Sequence, residues 1–264
     1  MEIDYRPLID GMTWSSSRLE SFDRCPYAWF LHYILYPDEP GKKKFYAEYG
    51  SFMHRLLEGY YSGELTKDDM LLRFLTGFKS EVCGKRPKAS TVEKYIESGV
   101  SYLSGFSPLP WETVAVEMKL GFHIHDIPFV GIIDHLGRDE TGLIITDHKS
   151  RELSQRSGRT KPTLKDKELD SMLRQLYLYA AAVEQNYGEL PSKLCFNCFR
   201  NGELIIEQFD PCAYEKALDW ASNAVEMIRE TQEFDPVENV FSCQWICEMS
   251  DLCKFYLSTL AERR

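Results

Sequence analysis

The sequence predicts an α/β fold, a β-sheet flanked by helices, on three observations. Residues 111–124 alternate as a strand and run into two apolar stretches within 129–149, joined by a polar Asp139-Glu140-Thr141-Gly142 turn, so three strands follow one another as an antiparallel meander. Residues 193–200 and 203–209 flank Asn201-Gly202, the strongest short-range hairpin signal in the chain. Between these two units, residues 169–187 place Leu173, Leu176, Tyr177, Ala180 and Val183 on one helical face that can cover the sheet.

Length and composition bound the rest. A chain of 264 residues with 44% hydrophobic content can bury one large core, and one domain spanning residues 1–264 is expected. No run of 18 apolar residues exists, and Met1-Glu2-Ile3-Asp4-Tyr5-Arg6 lacks the basic start and apolar stretch of a signal peptide, so no membrane contact and a cytoplasmic location are expected. In that compartment eight cysteines argue for buried thiols or metal ligands rather than disulfides. A net charge of -10 disfavours general adhesion to nucleic acid, so a polyanion must bind at a local patch. Residues 149–167 form the candidate: Lys149, Arg151, Arg156, Arg159, Lys161, Lys165 and Lys167 face only Glu152 and Asp166 in a Ser-, Gly- and Pro-containing loop. No Gly-x-x-x-x-Gly-Lys-Ser/Thr loop or internal repeat is present, which excludes an ATP-driven motor of that type.

Along the chain, Ser17 to Glu20 reads as a capping box opening an aromatic helix with Phe22, Tyr27, Trp29, Phe30, Tyr33 and Ile34, ended by Pro37. Cys25-Pro26 interrupts it, placing Cys25 at a turn or helix start with its thiol free to leave the core. Lys42, Lys43 and Lys44 read as a solvated linker. Phe52, Met53, Leu56, Leu57 and Tyr60 give a helix over 49–61, with His54 beside the apolar stripe, as a hydrogen-bonded core residue or a metal or phosphate contact. Further helices are expected near 66–79 and 89–105, and a last one over 213–233.

The chemistry converges on the meander. Asp134 follows Ile132 and Ile133, Asp147 follows Ile144 and Ile145, both pairs expected to be buried, and antiparallel pairing can bring the carboxylates together with Lys149 on the face of Asp147. Two close carboxylates repel unless a cation sits between them, and a hard divalent ion with oxygen ligands is the usual resolution, suited to phosphodiester hydrolysis. Otherwise the two aspartates are strand-end turn residues. Glu117 adds a third acid or pairs with a lysine. Gln175 and Tyr179, four apart on one helix face, suit a substrate backbone or an ordinary rim. Cys195 and Cys198 have a separation that sends them to opposite strand faces, against a shared metal. Cys243, Cys247 and Cys253 crowd eleven residues as in metal-thiolate sites, and Cys25 is the candidate fourth ligand.

Four elements in order, Gly50-Ser51-Phe52-Met53-His54, Gly131-Ile132-Ile133-Asp134, Asp147-His148-Lys149 and Gln175-Leu176-Tyr177-Leu178-Tyr179, resemble the Gly-x-x-x-His, Gly-x-x-Asp, Asp/Glu-x-Lys and Gln-x-x-x-Tyr motifs of RecB-type PD-(D/E)XK nucleases. Within them the chain is similar to the iron-sulfur exonucleases related to CRISPR-adaptation nucleases and AddB. The resemblance implies a restriction-endonuclease-like mixed sheet flanked by helices, with a catalytic core about 46–210. It implies that His54, Asp134, Asp147 and the His148 carbonyl bind Mg²⁺ or Mn²⁺, that Lys149 activates the water, and that Gln175 and Tyr179 lie near the DNA backbone. It further implies a [4Fe-4S] cluster on Cys25, Cys243, Cys247 and Cys253, joining segments 15–36 and 241–256. Three residues separate Cys243 from Cys247 where the family has two, and four thiolates also suit zinc. The expected activity is a metal-dependent DNA exonuclease acting at single strands or exposed ends, in recombination, repair or CRISPR-type processing, with Arg151, Arg156, Arg159 and Lys161 as phosphate contacts. A non-catalytic DNA-end-binding module, or a subunit active only with a helicase, recombinase or CRISPR-adaptation partner, is the competing expectation.

Overall fold

The computed structural model describes residues 4–39 and 41–262. Met1 to Ile3, which open the stretch read for a signal peptide, lie outside the described residues, as do positions 40, 263 and 264 of the expected domain. The chain begins with α1 (Arg6–Asp10), α2 (Ser16–Arg24), α3 (Pro26–Phe30) and a π-helical turn over Leu31–Leu35. The cap of α2 sits two residues before the expected one: Ser15 accepts from the Arg18 N–H at 3.2 Å, and Glu20 accepts from Ser16 Oγ. The cause is tertiary, because Trp14 bridges Phe129 and exchanges backbone hydrogen bonds with Pro128 and Val130, which holds the chain extended up to Ser15. Cys25 is extended, as a residue before proline prefers, and caps α3 with its thiol.

Next come α4 (Phe45–Tyr61), α5 (Lys67–Glu81) and α6 (Ala89–Ser104), wrapped around Phe45, Tyr49, Phe52, Met53, Phe74 and Leu103. The lysines before α4 are not simply a solvated linker. Lys44 is buried, its Nζ donating to Ser250 Oγ at 3.0 Å, and Lys42 pairs with Asp251 at 2.9 Å. A partner more than two hundred residues away leaves no trace in local sequence.

The strands are β1 (Glu112–Ile124), β2 (Ile127–Asp139) and β3 (Gly142–Lys149), then, after α7 (Leu164–Tyr187), β4 (Lys193–Cys198) and β5 (Glu203–Gln208). They form one five-stranded mixed sheet in the order β1-β2-β3-β4-β5, antiparallel except for β3 beside β4. A parallel pair needs a crossover, and α7 is that crossover. Its apolar face packs on the sheet in one core with Ile133, Leu136, Ile145 and Phe196, and α8 (Pro211–Glu230) packs against α7 and β1. Ile132, expected to be buried, is 47% exposed: the two-residue period sends it to the face opposite Ile133, across from Lys119. Cys195 and Cys198 are both buried because β4 is covered on both faces.

The helix expected over 169–187 starts at Leu164, where Thr163 and Asp166 form a capping box, and the last long helix starts at Pro211 because Asp210 caps it. Then α9 (Val240–Trp245) and α10 (Lys254–Glu262) return to the N-terminal helices, with Phe234 stacked on Trp29 and Phe30 and Phe255 edge-on to Tyr27. No helix among the described residues is long and apolar enough to cross a membrane.

Candidate active site

The four motif segments meet where β2 and β3 splay apart. Pairing between these strands ends at His135 opposite Thr146, and the next residues are Asp134 and Asp147. Asp134 turns its carboxylate to β3 and accepts the His148 N–H at 2.7 Å. From α4, His54 Nδ1 approaches the same Asp134 oxygen at 3.4 Å. The motif glycines make these approaches possible. A Cβ on Gly50 would lie 3.3 Å from Ser150 Oγ, just past β3, and one on Gly131 would lie 2.8 Å from the Tyr179 ring. The first lets α4 lie close to the end of β3, and the second lets α7 lower Tyr179 onto β2.

Glu117 completes the cluster. It stands on β1 between the pairs Val116–His135 and Met118–Ile133, with φ of 46°, in the left-handed region that a non-glycine residue enters at about 1–3 kcal/mol. His54, Glu117 and Asp134 offer ligand atoms that all lie within 4.8 Å of one another. Of the two roles open to Glu117, the structure has it among the acids, not on a lysine. Asp147 lies near enough to raise the Asp134 carboxyl, and its carboxylate pairs with Lys149 Nζ at 2.7 Å. Lys149 also donates to Gln175 Oε1 at 2.7 Å, and Gln175 Nε2 donates to Tyr179 Oη at 2.9 Å. The residues of α7 thus hold the lysine.

The electrostatics follow from this crowding. Burial, reinforced by Asp147, raises the Asp134 carboxyl well above its ordinary range, and burial with Asp134 pushes Glu117 up to about 7. Burial pulls Lys149 down, but Asp147 outweighs it, so the ammonium is held charged above its usual value. Burial lowers His54 and His148, which favours the neutral imidazole in each. Neutral imidazole beside carboxylate oxygens is a donor set for a hard or borderline divalent cation, and acids forced together with raised pKa values are what such an ion relieves.

Residues 13–254 match the family model described as the PD-(D/E)XK nuclease superfamily. The chain belongs to this superfamily. Among solved structures it is similar to one described as a "Putative exonuclease" from Eubacterium rectale, 10% identical, with 93% of this chain and 87% of that chain covered and a TM-score of 0.52. At that identity the likeness shows the fold alone. A structure named SSO0001 is 15% identical over 78% of this chain and 96% of that chain, but its TM-score of 0.31 carries no argument. No curated protein matches. The five-stranded mixed sheet flanked by helices agrees with the restriction-endonuclease-like fold of this nuclease superfamily.

Away from the acids, this nuclease brings Cys25, Cys243, Cys247 and Cys253 to the wall of one cavity of about 430 Å³ between the N-terminal helices and the tail. Cys25 Sγ accepts from the Ala28 and Val237 N–H groups, both at 3.4 Å. Burial raises the Cys243 thiol and pushes Cys247 up to about 11. The basic stretch is less free than its sequence suggests. Arg151 pairs with Glu168, and Arg156 with Asp170 at 2.8 Å and Glu207 at 3.0 Å, acids that come from α7 and β5. Arg159 and Lys161 are exposed. Sequence reasoning missed Glu168 because the helix was expected to begin five residues later, and Asp170 and Glu207 because they reach the loop from separate elements.

Proposed function

We propose that this chain is a single nuclease domain, akin to the iron-sulfur exonucleases of the superfamily, that hydrolyses phosphodiester bonds of DNA at single strands or exposed ends using Mg²⁺ or Mn²⁺. The observation that carries it is the His54, Glu117 and Asp134 cluster within 4.8 Å, beside a lysine held by Asp147 and Gln175. His54, Glu117, Asp134, Asp147 and the His148 carbonyl would hold the ion, which when bound supplies charge stabilisation for the phosphate and a more acidic water. Lys149, its ammonium held by Asp147 and Gln175, would orient and polarise the attacking water beside the phosphate. Gln175 holds that ammonium from behind, and Tyr179, bonded to Gln175, closes the α7 side of the site. Arg159 and Lys161, with Arg151 and Arg156 where DNA displaces their acid partners, draw the phosphates of an otherwise acidic protein.

The four cysteines are proposed to hold a [4Fe-4S] cluster with a structural role. Their thiols line one cavity between the N-terminal helices and the tail, where four thiolates would also suit zinc. The hydrogen bonds onto Cys25 Sγ suit a cluster thiolate. We place the enzyme in the cytoplasm, in recombination, repair or CRISPR-type processing beside a helicase, recombinase or adaptation partner. Digestion of end-labelled linear and circular single-stranded DNA by anaerobically purified protein tests the reading. Mg²⁺-dependent loss of the linear substrate alone is expected. Turnover that survives EDTA, or equal cutting of circles, overturns it.

A further inference from the structure

The end of β3 carries Asp147 and Lys149, yet it is held by the sheet on one side only. Its pairing with β2 stops at Thr146, and residues 147–149 are paired with β4 alone, through Phe196, Asn197 and Cys198. Besides the His148 N–H on Asp134 and the Lys149 ammonium on Gln175, it is restrained by the His148 side chain, which extends to the face opposite Asp147 and is buried there. Asn197, its register partner on β4, donates from Nδ2 to His148 Nδ1 at 3.0 Å and to Tyr102 Oη at 2.7 Å. With Nδ1 accepting, the imidazole proton is on Nε2. The Tyr61 ring lies nearly parallel to the imidazole, at 6.0 Å and 12°, and the His54 ring meets it edge-on at 5.9 Å. The backbone N–H of this same residue holds Asp134 on the other side.

We propose that Asn197, anchored by Tyr102, is a positioning residue of the active site: through the His148 imidazole it fixes the splayed end of β3, and with it the Asp134 carboxylate and the His54 ring. This rests on the metal-dependent reading above. Asn197 touches neither acid, so it acts only through His148. Losing its bond frees the imidazole to turn, and the strand end, unpaired on the β2 side, moves with it. An effect on divalent-ion affinity is therefore expected beyond any effect on stability.

The test is Mn²⁺ binding by the EDTA-treated full chain, followed by loss of the free-ion electron paramagnetic signal, with thermal unfolding of the same samples without metal. Asn197→Leu should weaken binding about tenfold, as removal of groups that orient metal ligands does. Tyr102→Phe, which keeps the ring and removes only the acceptor, should shift it in the same direction by less, and guards against a Leu variant that fails to fold. Asn197→Asp should restore most of the affinity, because a carboxylate can accept from the other His148 tautomer and from Tyr102. Wild-type affinity in folded Asn197→Leu and Tyr102→Phe, with only their melting temperatures lowered, would mean a purely structural asparagine and overturn the proposal. Failure of the metal reading looks different: wild type and Asp134→Ala would then bind Mn²⁺ equally weakly, and both ideas fall together.

Discussion

Glu117→Gln, compared with wild type across pH with and without Mg²⁺, tests the cluster at its half-buried acid on β1. In the folded chain the Glu117 carboxyl titrates at about 7, against an ordinary value of 4.5, because of burial and the neighbouring Asp134. Below the ordinary value both states are protonated and the group contributes nothing to pH dependence. Between the two values the folded state holds the extra proton, so stability falls as pH rises, and above about 7 the penalty is complete. The shift corresponds to about 3 kcal/mol at 1.36 kcal/mol per unit, and since Glu117 is half-buried, screening by solvent reduces it to about 1–2 kcal/mol. The buried histidines His54, His135 and His148 push in the opposite direction over pH 4–6.5, which is why the glutamine variant is needed as the reference. In EDTA at pH 8 the variant should melt a few degrees above wild type, roughly 2–4 °C per kcal/mol for a chain of this size. At pH 5, half a unit above the ordinary value, the difference should be clearly smaller than at pH 8. Adding Mg²⁺ should raise wild type more than the variant, since the ion replaces the repulsion by ligation. A wild-type deficit equal at pH 5 and pH 8, or Mg²⁺ stabilising both alike, would refute the account of Glu117 as a raised acid in a metal site.

Asp134→Asn, Asp147→Asn and Lys149→Ala should each lower cleavage by on the order of a hundredfold or more with the fold retained by circular dichroism, and activity should vanish in EDTA. Gly131→Ala should drive a methyl into the Tyr179 ring, destabilise the fold by about 1–3 kcal/mol in urea unfolding and displace α7 from Lys149, lowering kcat as well. Arg159→Ser with Lys161→Ser should weaken DNA binding alike at every sequence and flatten the plot of log affinity against log salt by up to about two contacts; Arg156 is left in place because its loss would also break its pairs with Asp170 and Glu207. Cys247→Ser should bleach a brown protein, drop the iron content from about four per chain and expose residues 241–256 to protease, since that segment buries little of its own.

The sequence reveals elements and motif positions far better than partners, and the site itself explains why. Gly50, Gly131, Asp134, Asp147, Lys149, Gln175 and Tyr179 were legible because each sits on a segment whose periodicity is local, and because a glycine four residues before a histidine, or three before an aspartate, is a constraint that the chain carries within one turn or one strand. Cys25 was legible for a similar reason: a proline after it forces extended backbone and ends α2. Lys44 and Arg156 were not legible, because the groups that bury or pair them, Ser250, Asp170 and Glu207, arrive from other elements.

Glu117 marks where local reading stops. Nothing in the alternating pattern of 111–124 signals a residue with φ of 46°, since that conformation opposes what a strand favours and persists only because neighbouring strands enforce it. The register shift between Thr113 and Ala115 lies one turn of the pleat earlier, so the strand is already irregular where it approaches His54 and Asp134. The strained backbone brings the carboxylate beside Asp134, which together with burial raises its energy further, and both costs are borne by a sheet whose β2 is paired on each side. An arrangement that disfavours itself in local geometry and in charge, yet converges with an imidazole and a second acid, is one that a bound cation would relieve. That convergence, more than the spelling of any motif, is the physical reason to read this end of the sheet as a metal-dependent site.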